Sequence, residues 1–512
     1  MAKAKRIRQA VVIIHGMGEH RPLDTLNQFI ASGLQPIEGE RRFYSRPDQV
    51  TKSYESRRYL APRQPPNQAR RGIREQTEFY EYHWAHLMQG NRLSDLWPSF
   101  SRMLLRPPWA VPIGLRVVWA VFWALLILAA IFFIFGPGSR IELTGNPLED
   151  LLRPILGVGL VATAITFLVV TVLGGWVTSS FVDVVRYLDT SPRSYQVRRE
   201  IRAGIVDLLE GLHASDSNYQ RIIIVAHSLG SYIAYDAISY LWGQFNDRYP
   251  PPTVRSNRAV APDGLAEVEA AAFALDRASG EQLPALRDAY RAAQRRLWLG
   301  IRANGNPWRI TDLITLGSPM YFADQLYTKN RAVFDERVAR RELPQCPPKP
   351  DERPRLDPKK PPRYSYLEAG RRVLYHGAPF AVVRWTNMWF PPRLWFFGDW
   401  FGGPLAALYG RGIEDIELPG DGWTSQFPAW AHARYFSFPD HDGPTSVTTY
   451  LRDRLELGSG SWLPITPGER PPDAVQRPTG RTAAVRSRQP RAGGPSLPPS
   501  PAIPAGEPVT PG

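Results

Sequence analysis

The sequence predicts an α/β fold with a mostly parallel sheet, and two observations carry this prediction. Short runs of β-branched and aliphatic residues, typical of buried strands, occur at Val11–Ile14, Arg221–Ala226 and Ile310–Leu316. Longer segments with helical patterns follow or precede them, at Gln196–Leu212 and from Gly230 to Trp242. Alternating strands and helices are the pattern of a parallel sheet covered by helices.

The chain is long enough for a substantial core and carries an excess of positive charge. It has 512 residues, with 62 Lys and Arg against 48 Asp and Glu, for a net charge of +14. The single cysteine, Cys346, excludes an intramolecular disulfide and argues against a Cys-ligated zinc site. The charge favours acidic partners, but no module with interleaved aromatic residues accompanies the arginines, so no nucleic-acid partner is predicted.

The first apolar run predicts a strand rather than a targeting segment. Val11–Ile14 is too short for the apolar region of a signal peptide, and no small-residue cleavage site follows it. We therefore expect residues 1–100 to form the first part of the folded domain.

Two long uncharged segments lie at 117–135 and 155–177. Each is close to the roughly 20 residues that a helix needs to cross the hydrocarbon of a bilayer. Arginines are frequent before the first segment and after the second, and rare in the loop between them, which favours a cytoplasmic position for both flanks. The sequence predicts a transmembrane hairpin over 117–177, a lipid bilayer as partner, and a two-pass membrane protein whose folded domain and termini are cytoplasmic.

The rest of the domain is expected over residues 196–460, with a helical insertion at about 263–303. Beyond residue 467 the chain consists mainly of Pro, Gly, Ser and Arg. Such a segment has too little apolar surface to offset the entropy of ordering. The sequence therefore predicts a disordered tail over 467–512, whose partners it does not identify.

The strongest chemical signal is a serine at the turn between a predicted strand and a predicted helix. Ser228 lies in the sequence AHSLG, with Ala226 two residues before it and Gly230 two residues after it. A nucleophile elbow needs small residues at these two positions so that the strained turn can expose the hydroxyl. Ala226 stands where glycine is more usual. His227 is interpreted as a structural or pocket residue rather than a base.

A second signal follows the first predicted strand. The sequence HGMG at His15–Gly18 provides a flexible turn in which a backbone N–H group can point at a developing oxyanion. The N–H groups of Met17 and Leu229, the residue after the serine, are the predicted oxyanion hole.

These motifs resemble the α/β-hydrolase family, in particular its lipase and esterase branch. The resemblance is carried by HGMG at His15–Gly18, AHSLG at Ala226–Gly230 and TLGSP at Thr315–Pro319, in this order, and extends over roughly residues 8–455. It implies a doubly wound sheet and a catalytic triad in the chain order Ser, acid, His.

The resemblance places the acid after the next strand, predicted at Phe380–Trp385. Asp399 is the first carboxylate after that strand and lies in a glycine-rich loop. Asp415 and Asp421 remain alternatives.

The resemblance places the base after the last strand, predicted at Ile413–Leu418, and before the final helix, Thr445–Leu455. His432 and His441 both lie in this interval. His432 is preferred because the tyrosine three residues later resembles the histidine loop of membrane-associated family members. His441, between two aspartates, is the alternative.

No cofactor and no metal site are predicted. His83 and His86 have the spacing of a metal-binding pair, but no third ligand of suitable spacing accompanies them.

The sequence thus predicts a membrane-anchored serine hydrolase that cleaves carboxylic esters, in particular lipid or acyl esters, through an acyl-enzyme. Ser228 would attack, His432 would transfer the proton and Asp399 would orient the histidine. The substrate-binding residues stay unassigned. The alternative is a catalytically silent membrane scaffold or interaction protein of the same fold.

Overall fold

The structure is a computed structural model, and all the residues that it describes lie within Met1–Pro472. The described residues are 5–17, 21–33, 44–47, 50, 57–60, 73–88, 107–108, 111, 116, 119–120, 123–124, 127, 184, 186–188, 192–216, 218–251, 261–328, 330–350, 363–368, 371–393, 397–418, 428–436 and 447–456.

An eight-stranded mixed sheet forms the centre of the fold. Its strands are β1 (Lys5–Ile14), β2 (Tyr44–Pro47), β3 (Arg57–Leu60), β4 (Ile73–Tyr82), β5 (Arg221–His227), β6 (Ile310–Leu316), β9 (Arg384–Trp389) and β10 (Glu414–Glu417), while β7 (Ser365–Glu368) and β8 (Arg371–Leu374) form a separate antiparallel pair. The spatial order in the sheet is β10-β9-β6-β5-β1-β4-β3-β2. The six strands from β10 to β4 are parallel, whereas β3 and β2 add an antiparallel edge.

The central strands are apolar because both of their sides are covered. All residues of β5 and β6 are buried, as expected for a parallel sheet between two layers of helices. Alternate residues of β1 face opposite sides: Val12 and Ile14 belong to one apolar cluster, and Val11 and Ile13 to the other.

The helices divide between the two sides of the sheet. They are α1 (Asp24–Gly33), α2 (Pro192–Ala214), α3 (Gly230–Arg248), α4 (Leu265–Asp276), α5 (Leu283–Ala303), α6 (Ala323–Leu326), α7 (Arg331–Ala339), α8 (Ala406–Tyr409), α9 (Pro428–Ala433) and α10 (Val447–Leu455). Apolar residues of α1 and α10 pack on the side of Val11 and Ile13, while α2, α3, α4 and α5 pack on the other.

The helical segment predicted at 263–303 is present as α4 and α5, and it is part of the core. The Tyr290 hydroxyl donates a hydrogen bond to the Phe380 carbonyl at 2.7 Å, and Gln294 Nε2 donates to the same carbonyl at 2.7 Å. These contacts join α5 to the segment that enters β9.

The predicted fold requires correction. The architecture is α/β with a mixed sheet in which six of the eight strands are parallel. The predicted transmembrane hairpin with its two-pass membrane location is wrong. None of the helices within the described ranges combines the length and the hydrophobicity that a membrane span requires. Segments 117–135 and 155–177 lie almost wholly outside the described residues, as does the tail, 467–512. The hairpin was inferred from apolar length alone, a property that buried segments share.

Candidate active site

Ser228 lies at a sharp turn between β5 and α3. Its φ of +52° is in the left-handed region, which costs a residue other than glycine about 1–3 kcal/mol. The Ser228 N–H donates to the Leu316 carbonyl at 2.9 Å, so the end of β6 supports the turn. The side chain is fully buried, whereas the elbow motif was expected to expose the hydroxyl.

Two glycines allow the HGMG turn and the elbow to come together. A Cβ atom at Gly16 would lie 2.6 Å from His227 Nδ1 and 2.8 Å from Ser228 Cβ. A Cβ atom at Gly230 would lie 2.6 Å from the Ile14 carbonyl oxygen. Larger residues at either position would therefore push the end of β1 away from Ser228.

His432, on α9, joins Ser228 to Asp399. Its Nε2 atom lies 2.8 Å from Ser228 Oγ. Its Nδ1 atom lies 2.9 Å and 3.0 Å from the two carboxylate oxygens of Asp399. With the proton on Nδ1 donated to the carboxylate, Nε2 is left to accept the hydrogen bond from the serine hydroxyl.

The Asp399 carboxylate is fully buried but well supplied with donors. The Phe401 N–H donates to Oδ1 at 2.8 Å, and the Tyr435 hydroxyl donates to Oδ2 at 2.7 Å. Burial by itself raises the pKa of Asp399, but His432 and the hydrogen bonds from Tyr435 and Phe401 outweigh it and hold the pKa below its usual range. Asp399 is therefore a carboxylate at neutral pH.

Glycines also surround this carboxylate. Gly317, in the TLGSP segment, has a φ of +54°, and a Cβ atom there would lie 2.8 Å from Asp399 Oδ2. A Cβ atom at Gly402 would lie 2.5 Å from the same oxygen. Glycine at both positions leaves room for the carboxylate beside the end of β6.

His227 supports the histidine of the site rather than replacing it. Its Nε2 donates to the main-chain carbonyl of His432 at 2.8 Å. The His227 ring also packs against Tyr435, with 5.4 Å between ring centroids. His227 therefore helps to fix the backbone that carries His432.

The HGMG turn is held in place through its histidine. The His15 ring is stacked on Trp84, with centroids 4.9 Å apart. His15 Nδ1 donates to the Gly16 carbonyl at 2.9 Å, and Nε2 accepts from the Trp84 N–H at 3.1 Å. Met17 and Leu229 are both buried beside this turn and the elbow. The Leu229 N–H lies at the start of α3, where backbone N–H groups have no acceptor within the helix.

The alternative acids and base lie elsewhere or outside the described residues. Asp415 accepts from the N–H groups of Leu405 and Ala406 at 3.0 Å and 2.9 Å, at the start of α8, rather than from a histidine. Asp421 and His441 fall outside the described residues.

The histidines His83 and His86 are stacked on each other, with 3.3 Å between their Nδ1 atoms. In the described ranges, no group of three or more His, Cys, Asp or Glu side chains is arranged to hold a metal ion.

Sequence reasoning missed the residues that hold Asp399 in place. The spacing of Tyr435 from His432 was noticed, but the bond of its hydroxyl to Asp399 was not predicted. Gly317 was recognised within a motif, without the reason for a glycine there. Both roles depend on segments that meet only in the folded chain.

The fold and the site together define an α/β protein with a hydrogen-bonded Ser–His–Asp chain at the carboxyl edge of its parallel strands. No protein-family model, no curated protein and no solved structure matches this chain.

Proposed function

We propose that this protein is a serine hydrolase that cleaves carboxylic esters through an acyl-enzyme intermediate. The observation that carries the proposal is the continuous chain of hydrogen bonds from Ser228 through His432 to Asp399, with Ser228 at a positive φ. A serine hydroxyl is a weak nucleophile until a base takes its proton, and this chain supplies an oriented base.

In the acylation step, Ser228 Oγ attacks the ester carbonyl carbon while its proton passes to His432 Nε2. Asp399 stabilises the imidazolium that forms, because it stays ionised at neutral pH. The N–H groups of Leu229 and Met17 donate to the oxyanion of the tetrahedral intermediate. The intermediate collapses when His432 returns the proton to the leaving alcohol, which leaves the acyl group on Ser228.

In the deacylation step, His432 Nε2 takes a proton from water as the water attacks the acyl carbonyl. The second tetrahedral intermediate uses the same N–H donors. Its collapse breaks the bond from Ser228 Oγ to the acyl carbon, and His432 Nε2 gives its proton to Oγ, which releases the carboxylic acid and restores the Ser228 hydroxyl. Because Ser228 and Asp399 have no exposed surface, these charges develop in a site of low dielectric, where hydrogen bonds to them are strong.

The proposal is tested by labelling the purified protein with a fluorophosphonate probe and measuring hydrolysis of p-nitrophenyl esters of increasing acyl length. We expect labelling and hydrolysis in the wild type and in His441→Ala. We expect neither in Ser228→Ala or His432→Ala, provided that circular dichroism shows both variants to be folded.

The same experiment decides between the enzyme and a catalytically silent scaffold. Absence of both labelling and hydrolysis in a folded wild-type protein would contradict the proposed activity. Loss of labelling in His441→Ala rather than His432→Ala would contradict the proposed base.

A further inference from the structure

Two buried arginines lie at the opposite end of the sheet from Ser228. Arg302 is in the last turn of α5, and Arg309 immediately precedes β6. Only 9% of Arg302 and 8% of Arg309 is exposed. Since β6 has 7 residues and its far end contacts Ser228, the pair lies roughly 20 Å from the candidate active site.

Arg309 has no compensating group among the residues that the structure describes. Its Nε and Nη1 atoms are buried and make no hydrogen bond there. Burial lowers the pKa of Arg309 to about 10, and no carboxylate in the described part of the chain opposes the effect. A buried guanidinium without an anion is costly, since arginine does not lose its charge at neutral pH.

The Arg302 guanidinium is held in place by neutral groups, an aromatic ring and a main-chain carbonyl, and these do not balance its charge. The guanidinium lies 4.8 Å from the centroid of the Trp298 ring, and Nη1 donates to the Gln220 carbonyl at 2.6 Å. The Arg309 carbonyl accepts a hydrogen bond from the Ile222 N–H at 2.8 Å, so both arginines lie against residues 220–222 at the start of β5. Burial, and then the charge of Arg309, lower the pKa of Arg302 to about 9, as expected for two neighbouring cations.

The neighbouring histidine does not supply the missing charge. His213 Nδ1 donates to the Leu209 carbonyl at 2.7 Å, and Nε2 accepts from the Arg309 backbone N–H at 3.1 Å. Both ring nitrogens are thus occupied by main-chain groups, and the ring is neutral. His213 fixes the backbone from which the Arg309 side chain extends.

We propose that Arg302 and Arg309 form a binding site for a phosphate group, as free phosphate or as the phosphoryl group of a larger ligand. The charge argues for phosphate rather than a carboxylate. A phosphoryl group carries about −1.5 to −2 at neutral pH, which matches two guanidinium ions, whereas a carboxylate leaves one of them uncompensated. The planar donors of arginine suit the oxygens of phosphate.

The site is tested by isothermal titration calorimetry of the full chain with inorganic phosphate and, separately, with glycerol 3-phosphate, at constant ionic strength. We expect Arg309→Met and Arg302→Gln to weaken binding by about tenfold or more, because charge-assisted hydrogen bonds are lost. The matched control is Arg296→Gln on the same helix, whose side chain is 65% exposed. It is expected to bind as the wild type does.

Thermal unfolding gives a second readout that does not depend on activity. In chloride, Arg309→Met should unfold no lower than the wild type, because the variant removes a buried charge without a partner. In phosphate, the unfolding temperatures of the wild type and of Arg296→Gln should rise more than that of Arg309→Met. Phosphate stabilises all three proteins in a general way, so the difference between them reports binding at the arginine pair.

Binding of phosphate but not glycerol 3-phosphate would identify a free-ion site, and binding of both would identify a site for phosphomonoesters. Equal phosphate affinity in the wild type and Arg309→Met would overturn the proposal. It would also be overturned if neither phosphate nor glycerol 3-phosphate bound to the wild type.

Discussion

Asp399 shows how one buried carboxylate is kept ionised by its immediate neighbours. Desolvation opposes its charge, but one histidine, one tyrosine hydroxyl and one backbone N–H donate to it. A carboxylate with three such donors is more stable charged than neutral. The orientation of His432 depends on that charge.

Replacing Asp399 by Asn is expected to lower kcat for ester hydrolysis by about 10³–10⁴-fold with little change in KM, because the amide no longer holds the required histidine tautomer. Steady-state hydrolysis of a p-nitrophenyl ester measures the effect. Asp415→Asn is the control, since that carboxylate bonds the start of α8 instead. A kcat that falls equally in both variants would show that Asp399 has no special role.

Replacing Tyr435 by Phe removes one donor from the buried Asp399 and leaves the Phe390 N–H without the oxygen that it contacts at 3.2 Å. We expect a loss of about 1–3 kcal/mol in the free energy of unfolding at neutral pH. Urea unfolding followed by fluorescence measures it. Tyr240→Phe is the control, because Tyr240 is 57% exposed; equal stability of the two variants would contradict the role of Tyr435.

The strands are held together at their amino ends by a buried ion cluster. Arg221, from β5, donates to Asp312 of β6 at 2.7 Å, and Arg384 of β9 donates to the same carboxylate at 2.7 Å. Arg384 also pairs with Glu456 at 2.9 Å, immediately after α10. The cluster therefore joins three neighbouring strands to the last described helix.

Replacing Asp312 by Asn removes the buried carboxylate nearest to Arg221 and Arg384, which then keep only the partly exposed Glu456 as a described anionic partner. We expect a loss of about 3–5 kcal/mol in the free energy of unfolding at neutral pH. Asp335→Asn, in an exposed pair with Arg331, should change it by less than about 1 kcal/mol. Denaturant unfolding compares the two variants, and a small loss in Asp312→Asn would contradict the importance of the cluster.

The loss in Asp312→Asn should depend on pH. Burial opposes the charge of Asp312, but Arg384 and Arg221 outweigh it and hold its pKa in the folded protein well below the usual value. A carboxyl group with a lowered pKa stabilises the fold fully above its unfolded pKa of about 4, and progressively less as the pH falls through the folded pKa. The difference between wild type and variant should therefore shrink below about pH 4.

Individual elements were predictable to different degrees. The strand run from Arg221 and the helix from Gly230 were identified because apolar periodicity and turn residues are local signals. The predicted strand at 380–385 was placed too early: Pro379–Ala381 forms a 3₁₀ turn and β9 begins at Arg384. The antiparallel strands β2 and β3 are short and lie at an edge, so they carry little apolar pattern.

At the scale of the whole molecule, the sheet and the candidate site lie within Met1–Pro472. We expect a chain that ends at residue 472 to retain fluorophosphonate labelling at Ser228 and the unfolding temperature of the full chain. Labelling and thermal unfolding of the two purified chains test this. Loss of labelling in a folded shortened chain would show that residues 473–512 contribute to the site.

Local sequence patterns suffice to identify the strands that bury β-branched runs and the turn at Ser228, because backbone sterics and periodicity act over a few residues. The acid and the histidine were expected from the resemblance, and their meeting with Ser228 depends on the folded chain. The order of the strands brings Asp399 and His432 to Ser228 from far along the chain and directs Asp415 to a helix start. The same strand order places the ion cluster around Asp312, and the pair Arg302 and Arg309, at the end of the sheet opposite Ser228. Apolar length alone, as in the predicted membrane hairpin, does not specify what an apolar segment packs against.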